Sequence, residues 1–334
     1  MRIIVDGFGG DNAPLAIIEG CALAVSELDV DITIVGNEDT IRNLSKEHGV
    51  SLERMTIATS QSVVTMEDDP TCVIKDKADS SMAVGLKLLA DGGGDAFITA
   101  GSTGAAVVGG TMIVKRIKGI KRPALAVQLP TRKGNSVMAL DIGANVECRP
   151  SMLTQFGVMG SAYMNGVAGV NNPRVALVNN GTEETKGNEL VKAAYAMFKD
   201  APVNFIGNIE AREINNDASD VVVCDGFTGN IILKLTEGLS STLISMIKEG
   251  IMGGGVMTKL GGALITPALK GLKKQLDYTE YGGAPLLGLR KPVFKAHGSS
   301  GAKAIKSAVA QAVKYVNGDV TQKIVDGIVQ MEKK

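Results

Sequence analysis

Residues 175–198 read VALVNNGTEETKGNELVKAAYAMF. Four aliphatic residues, Val175 to Val178, run without a polar break, as a strand buried on both faces requires. Asn179 to Lys186 is polar and bends at Gly181, and Glu184 to Phe198 then repeats apolar residues at helical spacing. Strand, glycine-bearing turn and helix form the repeating unit of a parallel sheet covered by helices. The unit recurs along the chain. Further strands are expected at Ile3–Val5, Ile32–Val35, Phe97–Thr99, Leu125–Val127, Val137–Leu140 and Val221–Val223. Helices are expected at Pro14–Glu27, Met82–Ala90, Gly104–Lys115, Ser151–Met164, Asn230–Lys248 and Ala302–Val316. The first of these has Asp11 or Asn12 as its cap and Pro14 in its first turn. The alternation predicts an α/β fold with an open, mostly parallel, doubly wound sheet, with residues 1–334 as a single α/β domain or two closely packed lobes.

Residues 250–283 break this rhythm, and a projecting helical segment is expected there. Over 256–276, Val256, Met257, Leu260, Leu264, Ile265, Leu269, Leu272 and Leu276 mix with Lys259, Lys270, Lys273 and Lys274. That pattern suits either an oligomer contact or an amphipathic tip resting on an anionic membrane. Pro267 is expected to split the stretch into two short helices. Two strand-like pieces, Leu286–Leu289 and Val293–Lys295, return to the main body.

Composition narrows the functional classes. Of 334 residues, 45% are hydrophobic but 4% aromatic, with no Trp, so the core must be aliphatic. Formal net charge is zero, which argues against a dedicated nucleic-acid binder. Cys21, Cys72, Cys148 and Cys224 have neither zinc-site nor disulfide spacing. The opening MRIIVDGFGGDN starts a strand at once and lacks a signal peptide's pattern. No apolar run is long enough to span a bilayer. A cytoplasmic enzyme is expected, with no metal.

Five strand ends share one grammar. They are Asp6-Gly7-Phe8-Gly9-Gly10-Asp11, Ala100-Gly101-Ser102-Thr103-Gly104, Asp141-Ile142-Gly143-Ala144-Asn145, the turn from Asn179 and Asn180 to Lys186, and Asp225-Gly226-Phe227-Thr228-Gly229-Asn230. One such turn is an ordinary tight connection. Five of them, expected on one sheet edge, make an anion site of backbone N–H groups and helix N-termini. Asp6, Gly9, Gly10, Ser102, Thr103, Gly104, Asp141, Asn145, Asn180, Asp225 and Thr228 are the candidate phosphate and substrate ligands. The common nucleotide motifs fail. Gly110 stands where a Walker lysine belongs, and Gly7-Phe8-Gly9 lacks the third glycine of a dinucleotide fingerprint. No nucleophile elbow is present either, so one substrate attacks another while the enzyme supplies position and charge. Lys186 is a candidate to neutralise the anion, and Asn230 either caps a helix or holds a carbonyl oxygen. His297, in Lys295-Ala296-His297-Gly298-Ser299-Ser300, is a candidate for moving a proton. Lys115, Arg116, Lys118, Lys121 and Arg122 form a basic cluster that suits either a solvated helix end or an acidic docking partner. No aromatics interleave it, which disfavours nucleic acid.

Nine ordered blocks resemble the bacterial phosphate acyltransferases: IIVDGFGGDNAP, ITAGSTGA, RPALAVQLPT, LDIGANVECRP, LVNNGTEETKGNE, FIGNIEAR, VVVCDGFTGNIILK, DYTEYGGAPLLGL and KAHGSSGAKA. The likeness spans about residues 1–330, with Phe8 standing where that family more often has Met. The resemblance implies an isopropylmalate-dehydrogenase-like sheet related to phosphotransacetylases, in a homodimer. It implies conversion of acyl-[acyl carrier protein] and inorganic phosphate to acyl-phosphate, the first step of phospholipid synthesis. A membrane-bound glycerol-3-phosphate acyltransferase would take the product, and peripheral membrane contact through 256–276 is implied. Counterparts of Lys186 and Asn230 are implicated in activity. On this reading phosphate sits near Lys186 and the Ser102-Thr103 amides, Asn230 stabilises the oxyanion, and no cofactor is needed. The alternatives are an acyl-coenzyme A-dependent phosphate acyltransferase, a non-catalytic acyl-carrier or lipid binder, and, more distantly, a dehydrogenase sharing the fold.

Overall fold

The computed structural model describes residues 1–276 and 282–333, with no side chains described for 272–276. The strands are β1 (Arg2–Asp6), β2 (Asp31–Gly36), β3 (Met55–Thr59), β4 (Ala96–Thr99), β5 (Ala124–Pro130), β6 (Ser136–Leu140), β7 (Arg174–Asn179), β8 (Asn204–Glu210), β9 (Val221–Val223), β10 (Ala284–Leu287) and β11 (Val293–Lys295). They form one sheet in the order β3-β2-β1-β4-β11-β10-β5-β6-β9-β7-β8. The α/β fold with a mostly parallel open sheet is therefore as the alternating pattern predicts.

Alternation within each strand sorts the core into two layers. Ile3, Val5, Ala124, Ala126, Met138 and Leu140 face one side and Ile4, Phe97, Leu125, Val127, Val137 and Ala139 the other. The first layer packs under α1 (Leu15–Glu27), α5 (Pro150–Ala168), α6 (Glu189–Phe198), α9 (Ala302–Asn317) and α10 (Val320–Glu332), joined at one end by α2 (Glu38–His48). The second packs under α3 (Ser81–Ala90), α4 (Thr103–Gly109) and the start of α7 (Gly226–Gly253). Strands buried on both faces account for the unbroken aliphatic runs.

The sheet does not run one way throughout. β3, β2, β1, β4 and β11 are mutually parallel, as are β6, β9, β7 and β8. Between these halves β10 is antiparallel to β11 and to β5, and β5 is antiparallel to β6. The halves therefore point in opposite directions, which corrects the expectation that all five turns share one edge. The turns after β1 and β4 leave one edge and those after β6, β7 and β9 the other. Register brings them together nonetheless. Lys295 pairs with both Thr99 and Ala284, Leu286 with Leu125, and Ala126 with Leu140. The ends of β4 and β6 thus lie about one residue, roughly 3 Å, apart along the strand direction. Each half's turns abut the other half's strands at the β10–β5 seam.

Several local expectations change. The helix expected from Glu184 starts at Glu189, where Asn188 caps it by accepting from the Val191 N–H at 2.9 Å. Asn12 does not cap α1; its amide donates to the Ser299 carbonyl at 2.9 Å. The helix expected over 104–115 closes early, with Gly110–Val114 in π geometry. Pro267 does not split the projecting stretch, because α8 (Val256–Leu276) runs through it. The segment is solvent-exposed, so water can take up a carbonyl that loses its partner, and the Thr266 hydroxyl donates to the Gly262 carbonyl at 2.8 Å. Residues 277–281 of the segment lie outside the described residues.

Candidate functional site

A cavity of about 550 Å³ opens at the seam. The first half lends Asp11, Thr103, Lys295, His297 and Ser300, and the second half lends Gly143 and Asn230, with Leu233, Lys234 and Glu237 further along α7. Its apolar walls are Leu125, Val127, Ile142, Ala284 and Pro285.

Lys295 is the principal group that the pattern of residues alone did not single out. It ends β11, whose apolar neighbours carry it inward. Its ammonium donates to the Ala100 carbonyl at 3.2 Å and to the Ala296 carbonyl. No carboxylate forms an ion pair with it among the described residues. Burial pulls its pKa from the ordinary 10.5 to about 8, a fall that the charges of Asp11 and Asp6 partly oppose. A half-buried cation held by neutral carbonyls beside a cavity, with no carboxylate in direct contact among the described residues, attracts an anion.

The first turn is arranged around a buried carboxylate. Asp6 accepts from the Thr99 hydroxyl at 2.7 Å, and burial raises its pKa. Gly10 has φ +105°, and a Cβ there would lie 2.9 Å from the Gly298 carbonyl oxygen. Only glycine lets this turn pass so close to the His297–Ser300 turn. The Asp11 N–H donates to that same carbonyl at 2.8 Å. Gly9 packs on Gly101 and Gly104 on Pro70. Ser102 is buried and caps α4 by accepting from the Ala105 N–H, which leaves Thr103 to line the cavity.

In the other half, Asp141 is fully buried and accepts N–H bonds from Leu125, Gly143, Ala144 and Asn145 at 2.7–3.2 Å, and from the Asn145 side chain at 2.8 Å. Burial raises its pKa despite these donors. Asn145 also donates to the Pro123 carbonyl at 2.8 Å. Both residues brace the turn that presents Gly143. Asp225 caps α7 by accepting from the Thr228 N–H at 2.9 Å and the Thr228 hydroxyl at 2.8 Å, and this aims the following turn, with Asn230, at the cavity. The capping role is thus filled by Asp225, leaving the Asn230 amide for other work.

Asn180 and Lys186 are exposed on the turn after β7, two strands from β6, and are not among the residues lining the cavity. His297 lines it, with Nδ1 2.8 Å from the Ser299 hydroxyl. Lys115, Arg116, Lys118, Lys121 and Arg122 are all exposed near the start of β5. Arg116 donates to the Lys121 carbonyl, and the Lys121 ammonium to the Ser151 hydroxyl at 2.5 Å. No group of metal-ligating side chains occurs among the described residues.

A family model described as "Fatty acid synthesis protein" matches residues 1–323. A phosphate acyltransferase from Alkaliphilus oremlandii is 50% identical over 328 residues, 98% of this chain and 97% of that protein. Another, from Clostridioides difficile, is 46% identical over 324 residues, covering 97% and 95%. Among solved structures, a phosphotransacetylase from Streptococcus pyogenes superposes with a TM-score of 0.64 at 17% identity, over 95% of this chain and 94% of that one. A branched-chain phosphotransacylase from Enterococcus faecalis gives 0.56 at 12% identity, over 95% and 100%. At such identities these two share the fold.

Proposed function

The chain belongs to the phosphate acyltransferase family, within the fatty acid synthesis proteins, and from that premise we propose that it converts acyl-[acyl carrier protein] and inorganic phosphate to acyl-phosphate and free carrier. The observation that carries the reading is Lys295, a cation without a carboxylate partner among the described residues, facing one aliphatic cavity together with Asn230. Phosphate sits against the Lys295 ammonium and Thr103. One phosphate oxygen attacks the thioester carbonyl carbon; the C–O bond forms and the C–S bond then breaks. The Asn230 amide donates to the oxyanion of the tetrahedral intermediate. The proton of hydrogen phosphate ends on the departing carrier thiol, and His297 passes it. The sum is thioester plus hydrogen phosphate giving acyl-phosphate plus thiol, with no redox change.

Lys186 receives a different task from the one its glycine-rich turn suggests. Being exposed on the same side of the sheet's second half as Asn230's turn, it meets the anionic arm of the incoming carrier. The basic cluster 115–122 docks the carrier's acidic surface. The exposed stripe Phe227, Ile231, Leu235, Leu239 and Leu243 on α7 pairs two copies of the chain. Met257, Leu260 and Leu264 of α8, also exposed, rest on an anionic membrane at the cytoplasmic face. No helix among the described residues is long and apolar enough to cross one. The acyl-phosphate would pass there to a membrane-bound glycerol-3-phosphate acyltransferase.

The test follows thioester consumption with acyl-carrier and acyl-coenzyme A substrates in parallel, with and without inorganic phosphate, and traps acyl-phosphate with hydroxylamine. Phosphate-dependent consumption with the carrier substrate preferred is expected. Preference for the coenzyme A thioester would replace the carrier with that donor, and consumption independent of phosphate would refute the reaction.

A further inference from the structure

We infer that the gap between β5 and β10 is the channel for the acyl chain, and that Gln128, Tyr163 and Gln311 form the floor that sets its length. The inference rests on the reading above. β5 pairs with β10 at Ala124 and Leu125 and nowhere else among the described residues, while Ala284 and Pro285 have already turned to β11. Among the described residues, the flank of β5 from Ala126 to Pro130 that faces β10 therefore has no strand partner. Gly282 keeps it open: φ is +97°, and a Cβ there would lie 2.8 Å from the Ser307 carbonyl oxygen and 3.0 Å from Gln311 Cβ. The backbone lies flush on α9 because no side chain fits.

The cavity takes its lining from both layers of the fold. Leu233 belongs to the α7 side and Tyr163 to the α5 side. A cavity lined by both layers passes through the sheet. Ala304 and Gln311 both line it, and seven residues of helix separate them by about 10 Å along the axis. The cavity thus extends well beyond the His297–Ser300 turn from which α9 starts.

At that depth, polar groups occur among aliphatic walls. Gln311 donates to the Gln128 amide oxygen at 3.1 Å and to the Tyr163 hydroxyl, and the Gln128 amide donates to the Ser136 hydroxyl at 3.1 Å. Tyr163 is fully buried and Gln311 nearly so. Buried polar groups persist where they satisfy one another, and such a linked set yields poorly to an advancing methyl end. A chain that is too long must break these bonds or leave its reacting carbonyl short of Asn230. One methylene in such a pocket changes kcat/KM by about 10–200-fold.

The experiment measures kcat/KM for a series of saturated acyl-carrier substrates lengthened by successive two-carbon units. The unaltered protein is compared with Gln311→Ala, which deepens the floor, and Ala304→Phe, which obstructs the channel nearer the reacting groups. Gln311→Ala should raise the ratio of long to short chains by about 10-fold or more, and Ala304→Phe should lower it comparably. Folding of both variants is checked by circular dichroism. A chain-length profile that stays parallel to the original in folded, active variants overturns the channel. Absence of acyl-phosphate from the unaltered protein with every chain overturns the underlying reaction instead, and a reversed order of the two variants overturns the floor's position.

Discussion

Replacing Lys295 with Met should make the protein more stable at neutral pH while removing its phosphate site. A fall in pKa from 10.5 to about 8 on folding corresponds to roughly 3 kcal/mol of native-state penalty. Below about 8 both folded and unfolded chains hold the proton, so the penalty is fully present. Between about 8 and 10.5 the unfolded chain holds more protons than the folded one, so stability rises with pH until the penalty is gone. Met loses the donations to the Ala100 and Ala296 carbonyls, which offsets about 1–2 kcal/mol. The net gain at neutral pH is therefore about 1–2 kcal/mol, and it vanishes or reverses at about pH 10. Denaturant unfolding of both proteins across this range gives the difference directly. Saturating phosphate adds a second signature. At a hundred times Kd it should stabilise the native protein by about 2.7 kcal/mol and the variant by almost nothing. A stability difference that does not change with pH, or a variant that phosphate still protects, would refute the argument.

Other expectations follow from the same geometry. Asn230→Ala should lower kcat by about 10²–10³-fold with little change in stability, since Asp225 rather than Asn230 caps α7; steady-state kinetics with thermal melts separate the two. Lys186→Ala should raise KM for the carrier substrate and leave KM for phosphate unchanged, and the opposite split would return Lys186 to the phosphate. Asp141→Ala strands several buried N–H donors and should cost at least about 1–3 kcal/mol of stability, visible as a lower denaturant midpoint. Leu264→Glu should abolish flotation with anionic vesicles while turnover of soluble substrate continues.

The fold was legible because its strands are buried on both faces, which leaves unbroken aliphatic runs such as Val175–Val178. The edge strands β3 and β8 were not, because MTIAT and NFIGNIE are half-buried and carry no continuous apolar signal. α10 was not legible either, because only Val320, Ile324 and Ile328 of its residues are buried, a thin apolar stripe. Local grammar identified Thr103, Asn230 and His297, and these meet at the cavity. It could not rank the turns, since which strand lies next to the seam is a property of pairing across the whole chain. For that reason Lys186 and Lys295 look alike in sequence, each a lysine near a turn. One ends exposed two strands out, and the other ends half-buried between β4 and β10. The reversal between the halves was equally invisible, as β10's direction depends on partners more than 150 residues away in β5.

The late position of β10 and β11 in the chain has a consequence for biosynthesis. β4 and β5 are made early, yet the strands that join them, β10 and β11, lie after residue 283. Until the ribosome has released nearly nine-tenths of the chain, two aliphatic strand edges stay uncapped. Such edges are templates for pairing with other chains. The nascent chain therefore carries these pairing-prone edges for most of its synthesis. A chain that ends before Ala284 lacks Lys295 and both strands that close the seam, so the cavity between the halves forms only when synthesis is nearly finished.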